Sequence, residues 1–124
     1  EPERVRTLRV ESPFDFASQA LLAVPRDFPD PTNPRYEAAT HAAIRRIVQA
    51  TGGGTFVLFT AYGALNRAVE ALAPDLERAG LKVLRQGETN RQLLLERFVG
   101  DPRSVLFATD SFWEGVDVRG DALR

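Results

Sequence analysis

The sequence predicts an α/β domain: a parallel sheet flanked by helices on both faces. Three observations carry that expectation. Helix-like and strand-like segments alternate after residue 34, the segments 55–60 and 104–109 are apolar at nearly every position, and the connections between segments are short. Strands alternating with helices require crossover connections, which make neighbouring strands parallel. A strand apolar in both parities is one covered on both sides.

Taken in order, residues 1–13 are charged and mixed, with a strand expected at Arg4–Val10. Leu21-Leu22-Ala23-Val24 is a short apolar run stopped by Pro25, a second candidate strand. Pro25, Pro29, Pro31 and Pro34 make the next stretch a stiff extended connector, because proline removes donors and disfavours helix before it. Asn33 and Pro34 suit the cap and first position of a helix. Its apolar face is Tyr36, Ala39, Ala43, Ile44, Ile47 and Val48, and Gly52 supplies the left-handed stop. Thr55–Thr60 has the composition of a central strand. A second helix from Tyr62 to Ala79 buries Leu65, Val69, Leu72 and Leu76, with a kink or break expected at Pro74. Gly80 ends it and Leu81–Arg85 is the next strand. Thr89 and Gln92 match a capping box for a third helix, which buries Leu94, Leu95 and Phe98 and stops at Gly100. Ser104–Thr109 closes the series.

A length of 124 residues suits one domain, and 44% hydrophobic residues suffice for a core. Sixteen basic and seventeen acidic residues leave a net charge of -1, so nucleic-acid binding must rest on local groups and not on overall charge. The absence of cysteine excludes a disulfide scaffold, iron–sulfur ligands and a cysteine zinc site within these residues. The apolar run Ala20–Val24 falls far short of the ~20 residues that span a bilayer. No basic leader precedes a hydrophobic stretch, so a cytoplasmic location is expected. The sequence opens on Glu1, contains no methionine and ends on Ala122-Leu123-Arg124, so a part of a longer polypeptide is expected.

Ligands of open α/β sheets bind beyond the carboxyl ends of the strands. One such end runs from Thr60 into Ala61-Tyr62-Gly63, and another from Thr109 into the segment ending at Asp117. The second has the spacing Thr-x5-Gly-x-Asp. Thr109 offers a hydroxyl to a phosphate oxygen, Gly115 permits close backbone approach, and Asp117 offers an acceptor for a sugar hydroxyl or a partner for a basic group. Asp110 and Glu114 add carboxylates that suit a metal-bound nucleotide, a ribose or a cation better than bare phosphate. Other features have plainer readings. Gly52-Gly53-Gly54 precedes a strand and reads as a helix stop. His41 has no second ligand to share a metal with. Arg45-Arg46 reads as a solvated helix face. Trp113 is read as pinning its loop ahead of stacking on a base, while Tyr62 and Gln86-Gly87 stay open between structure and function.

Ala108-Thr109-Asp110-Ser111-Phe112-Trp113-Glu114-Gly115-Val116-Asp117-Val118 resembles motif V of the DinG/XPD group of superfamily-2 helicases. Val57-Leu58-Phe59-Thr60-Ala61-Tyr62 resembles motif IV, Ser12-Pro13-Phe14-Asp15 the group's Ser-Pro-Phe segment, and Gln86-Gly87 an element between the two motifs. The resemblance implies a RecA-like domain of the P-loop NTPase type, truncated at its C-terminus. Residues 1–13 would lead into a second RecA-like helicase domain at 14–124, with the arginine-rich motif VI missing. It implies an ATP-dependent DNA helicase, with this part supplying one wall of the ATP cleft and part of a single-stranded DNA track. Thr109 would contact the tracking strand's phosphate, and Thr60, Tyr62, Gln86, Gly87 and Ser111 would border the same path. Gly115 and Asp117 would face the nucleotide, and Glu114, grouped with Asp117 as catalytic, would couple the two sites. ATP and magnesium are the implied cofactors of the whole enzyme, with neither held tightly by this part and any iron–sulfur cluster outside it. The implied partners are single-stranded or forked DNA and the first RecA-like domain of the same polypeptide. No Gly-x-x-x-x-Gly-Lys-Ser/Thr loop occurs. Loss of an arginine finger lowers rates by about 10³–10⁵, so inactivity in isolation is expected. The alternative is a non-catalytic, helicase-derived interaction or regulatory module.

Overall fold

A computed structural model describes residues 6–118 of the chain. The elements run α1 (Phe16–Gln19), α2 (Tyr36–Thr51), β1 (Thr55–Phe59), α3 (Tyr62–Arg78), β2 (Lys82–Arg85), α4 (Arg91–Gly100), β3 (Ser104–Thr109) and α5 (Asp110–Trp113). The three strands form one parallel sheet in the order β1-β3-β2. β3 is the middle strand, and all six of its residues are buried.

Alternation along β3 sorts the core into two layers. Val105 and Phe107 join Val48, Leu65, Leu72 and Leu76 from α2 and α3 on one face. Leu106 and Ala108 join Leu84, Leu94, Phe98 and Phe112 on the other, which α4 and α5 cover. This is the predicted arrangement of helices on both faces of a parallel sheet.

Several local expectations need correction. Thr55–Phe59 is an edge strand among the described residues, with Leu58 41% exposed. Its apolar composition is that of a covered strand, yet strand order is set by tertiary pairing, which composition does not encode. Ile47, expected on the buried face of α2, is 58% exposed for the related reason that α2 packs near this open edge. Leu21–Val24 forms no strand, and Leu21 is 92% exposed. Residues 6–10 form none either, while Arg4, Val5 and the Ala122–Arg124 end lie outside the described residues. A short apolar run becomes a strand only where a neighbour takes its backbone hydrogen bonds. Residues 6–27 are all exposed, so the packed layers begin close to Tyr36.

The helix ends show how side chains decide boundaries. α2 starts at Tyr36, two residues later than Pro34 suggests, because the Asn33 side chain accepts from Arg35 N at 2.9 Å and forms a turn ahead of the helix. In the same connector Asp30 accepts from the backbone N–H and hydroxyl of Thr32, which hold its carboxyl below the ordinary value in that order of importance. That turn is therefore favoured above the usual carboxylate range and loosens as pH falls through the lowered value. Gly52 closes α2 at φ +70°, as expected. α3 runs unbroken through Pro74, whose missing donor falls on the exposed side of the helix. It ends one residue short of Ala79, with Leu81 N donating to Leu76 O and Gly80 N to Glu77 O around a left-handed Gly80.

The Thr89–Gln92 capping box does not form. Asn90 caps α4 instead, accepting from Leu93 N at 2.9 Å, and Gln92 turns to Glu96 one helical turn on. Asn is as good a cap as Thr, and here it holds the extended backbone that a cap requires. Asn90→Ala is expected to lower stability by about 1 kcal/mol in urea unfolding. A change indistinguishable from zero would remove Asn90 from that role.

Gly53 shows why the turn before β1 is glycine-rich. A Cβ there would lie 2.6 Å from Arg103 Cα and Pro102 O, so the two loops at the amino ends of β1 and β3 touch through backbone alone.

Candidate functional site

Because the strands are parallel, their carboxyl ends share one rim of the sheet. The register pairs Phe59 with Thr109 and Arg85 with Phe107. β1 and β3 therefore end level, while β2 ends two residues lower. Gln86 N continues the ladder to Phe107 O at 2.9 Å, which carries the Gln86 side chain alongside Thr109.

There Gln86 Oε1 accepts from Thr109 N at 2.7 Å and from the Thr109 hydroxyl at 3.0 Å. A backbone N–H can only donate, so this contact fixes the orientation of the amide. The Nε2 donors of Gln86 are left for other partners. Thr109 and Ser111 hydroxyls lie 2.9 Å apart, and because the Thr109 proton goes to Gln86, Ser111 donates to Thr109. Thr109 is 5% exposed, whereas Ser111 is exposed. The sequence marked Thr109 as the outward hydroxyl; in the folded chain Ser111 and Gln86 hold the more accessible polar groups.

A shallow hollow of about 350 Å³ opens here between Tyr62, Gln86, Gly87, Arg91, Ser111 and Phe112. A second, of about 410 Å³, shares Tyr62, Gln86 and Gly87 and continues towards Asn66 and Glu70. Tyr62, at the start of α3, is 51% exposed and borders both. The groove thus joins four of the six residues expected along a polynucleotide path, Tyr62, Gln86, Gly87 and Ser111, while Thr109 is buried and bonded to Gln86. Thr60 differs: it opens onto a separate hollow beside β1, the edge strand among the described residues, shared with His41 and Ile44.

Beyond α5 the chain turns at Gly115, φ +73°, closed by Val116 N donating to Trp113 O at 3.2 Å. Val116 and Val118 pack partly buried against the core, while Gly115 and Asp117 between and before them are exposed. That alternation explains why the segment presents Gly115 and Asp117 outward. Glu114 is also exposed. Trp113 meets Phe56 edge-on at 5.4 Å yet stays 48% exposed, so it does pin its loop while keeping one side open.

Arg91, at the first position of α4, escaped the sequence reading. Its guanidinium donates to the carbonyls of Phe112, at 3.0 Å, and of Glu114, and lies 5.2 Å from the centroid of the Phe112 ring. Its partners are 21 and 23 residues away in the chain, beyond any local pattern.

The family model described as a helicase C-terminal domain matches residues 44–124. The chain is 40% identical over 121 residues, 98% of its length, to the ATP-dependent DNA helicase YoaA of Escherichia coli (strain K12), of which it covers 19%. It is 42% identical over 112 residues to the protein of the same name from Haemophilus influenzae, covering 90% of this chain and 17% of that one. To the ATP-dependent helicase DinG of Mycobacterium tuberculosis (strain H37Rv) it is 37% identical over 119 residues, 95% of this chain and 18% of the relative. The chain thus spans under one fifth of the length of these curated relatives.

Proposed function

The chain belongs to the helicase C-terminal domain family, and we propose that it serves as the second RecA-like motor domain, 14–124, of an ATP-dependent DNA helicase. The observation that carries this reading is the single rim on which β2 and β3 deliver Gln86, Ser111 and the Glu114–Asp117 turn. One stretch of that rim is a groove with an aromatic ring and amide and hydroxyl groups; the adjoining stretch is an exposed glycine turn with carboxylates.

The groove suits a polynucleotide. The Tyr62 ring offers a face to a base, and a stacked base contributes ~1–3 kcal/mol. Gln86 Nε2 offers neutral donors to phosphate or sugar oxygens, and the Ser111 hydroxyl offers one by turning its proton from Thr109 to the ligand. The turn suits a nucleotide. Among the described residues a Cβ at Gly115 would meet the Arg91 guanidinium alone, at 3.9 Å, so the backbone can be approached closely from outside. Asp117, just beyond it, supplies an acceptor for a ribose hydroxyl or a cationic group, and Glu114 lies between turn and groove. ATP supplies the driving reaction when bound. This chain's contribution is to orient the nucleotide through Gly115 and Asp117 and to exclude water on one side of the cleft.

Magnesium and the phosphate cradle are assigned to the first motor domain of the same polypeptide. No group of three His, Cys, Asp or Glu residues suited to a metal ion occurs among the described residues. Isolated from that domain, the chain is expected to hydrolyse no ATP. No helix among the described residues is long and apolar enough to cross a membrane.

The test is strand separation by the complete polypeptide on a forked duplex. It should proceed with ATP and stop with a non-hydrolysable analogue; unwinding that ignores the nucleotide would refute the reading. At the groove itself, Ser111→Ala should weaken single-stranded DNA binding about 2- to 10-fold, the range of one neutral hydrogen bond. The slope of affinity against salt should not change, because no cationic contact is lost. Equal affinities for mutant and parent would remove Ser111 from the path.

A further inference from the structure

The connector between β2 and α4 touches the 109–117 segment at both ends. At its start, Gln86 accepts from the backbone and hydroxyl of Thr109. At its end, Arg91 donates to the carbonyls of Phe112 and Glu114. α5 has only four residues, so its last carbonyls have no intrahelical partner and depend on whatever donor comes near. One planar guanidinium meets two of the carbonyls at this helix end while its face lies over the buried Phe112 ring. Asn90, capping α4 through Leu93 N, fixes the backbone from which Arg91 projects. The groove side and the nucleotide-facing side of the rim are therefore both attached to one six-residue stretch, 86–91, made of the connector and the first residue of α4.

We propose that Arg91 is a positioning residue that couples the two sides. By holding the Glu114 carbonyl it sets the turn at Gly115 and the outward pose of Asp117. When a polynucleotide shifts Gln86 and Gly87, Arg91 carries that shift to the turn. The effect of DNA on ATP turnover then passes through the guanidinium, which lies in the wall of the groove but spends its hydrogen bonds on the two carbonyls. This proposal rests on the helicase reading.

The experiment compares the complete polypeptide with its Arg91→Met and Arg91→Lys variants. It measures ATP turnover against the concentration of a single-stranded oligonucleotide, and amide hydrogen exchange over 112–117. Methionine keeps an apolar chain against Phe112 and removes the donors; lysine keeps the charge and a nitrogen donor but not the guanidinium over the Phe112 ring. Misplacing groups about the reacting centre lowers rates by up to ~10²-fold. Arg91→Met should therefore lower the maximal DNA-stimulated rate roughly 10- to 100-fold. The half-saturating DNA concentration should hold near the parent value, exchange at 114–117 should quicken, and Arg91→Lys should fall between. A parent-like stimulated rate in Arg91→Met would overturn the proposal. So would a raised half-saturating DNA concentration at an unchanged maximal rate, which would make Arg91 a DNA ligand. If the parent protein itself shows no DNA-stimulated hydrolysis, the helicase reading fails first and this proposal falls with it. Failure in the variants alone leaves that reading standing.

Discussion

Asp117→Ala in the complete polypeptide is expected to lower DNA-stimulated ATP turnover about 10- to 100-fold while single-stranded DNA affinity stays close to that of the parent. The magnitude comes from the kind of contact. A hydrogen bond involving a charged group contributes about 1.5–3 kcal/mol, and each ~1.4 kcal/mol in a barrier is a tenfold change in rate. The selectivity comes from position. Asp117 is exposed beyond Gly115 and is not among the residues lining the groove around Tyr62, Gln86 and Ser111. Asp117→Asn serves as the control for shape. Steady-state turnover in the presence of saturating oligonucleotide decides the matter, and an unchanged rate in both variants would take Asp117 out of the nucleotide site.

The second large effect belongs to the core. Phe107→Ala should destabilise the 124-residue chain by about 3–5 kcal/mol, the range for deleting a fully buried aromatic ring. Phe107 has no exposed surface, sits on the middle strand between Val57 and Arg85, and stacks on Phe59 at 6.4 Å. A domain of this size has a total stability of about 5–15 kcal/mol, so the loss is a large share of it. Urea unfolding should show a lower midpoint with little change in slope. A shift corresponding to less than about 1 kcal/mol would mean that the core on that face is not packed as described. Phe107 also links fold to site, because its carbonyl receives Gln86 N and so places the Gln86 side chain.

The layered fold could be read from the sequence because its signal is local. Val105, Leu106, Phe107 and Ala108 are apolar in both parities, and Leu65, Val69, Leu72 and Leu76 recur at helical spacing. What depends on pairing between distant segments could not be read. Thr55–Phe59 carries the composition of a covered strand, yet its place at the sheet edge follows from which strands lie beside it. Leu21–Val24 has strand-like residues and no neighbour to pair with among the described residues. Thr89 and Asn90 are adjacent and equally fit to cap, and backbone geometry chose the second.

The site divides along the same line. Thr109, Gly115 and Asp117 stand out by spacing alone, and Gln86, Gly87, Tyr62 and Ser111 through the family resemblance. The bond between Gln86 and Thr109 spans 23 residues and turns the Thr109 hydroxyl inward, so the division of labour between Thr109 and Ser111 appears only in three dimensions. The two carbonyls held by Arg91 are further examples, since a backbone acceptor leaves no trace in side-chain identity.

Amide hydrogen exchange of the complete polypeptide, with and without a single-stranded oligonucleotide, tests most directly whether the carboxyl rim of the sheet is the working face. Protection is expected at 86–90 and 109–113, with none at the opposite rim, 52–55 and 101–104. Protection confined to that opposite rim, or absent from 86–90 and 109–113, would contradict it.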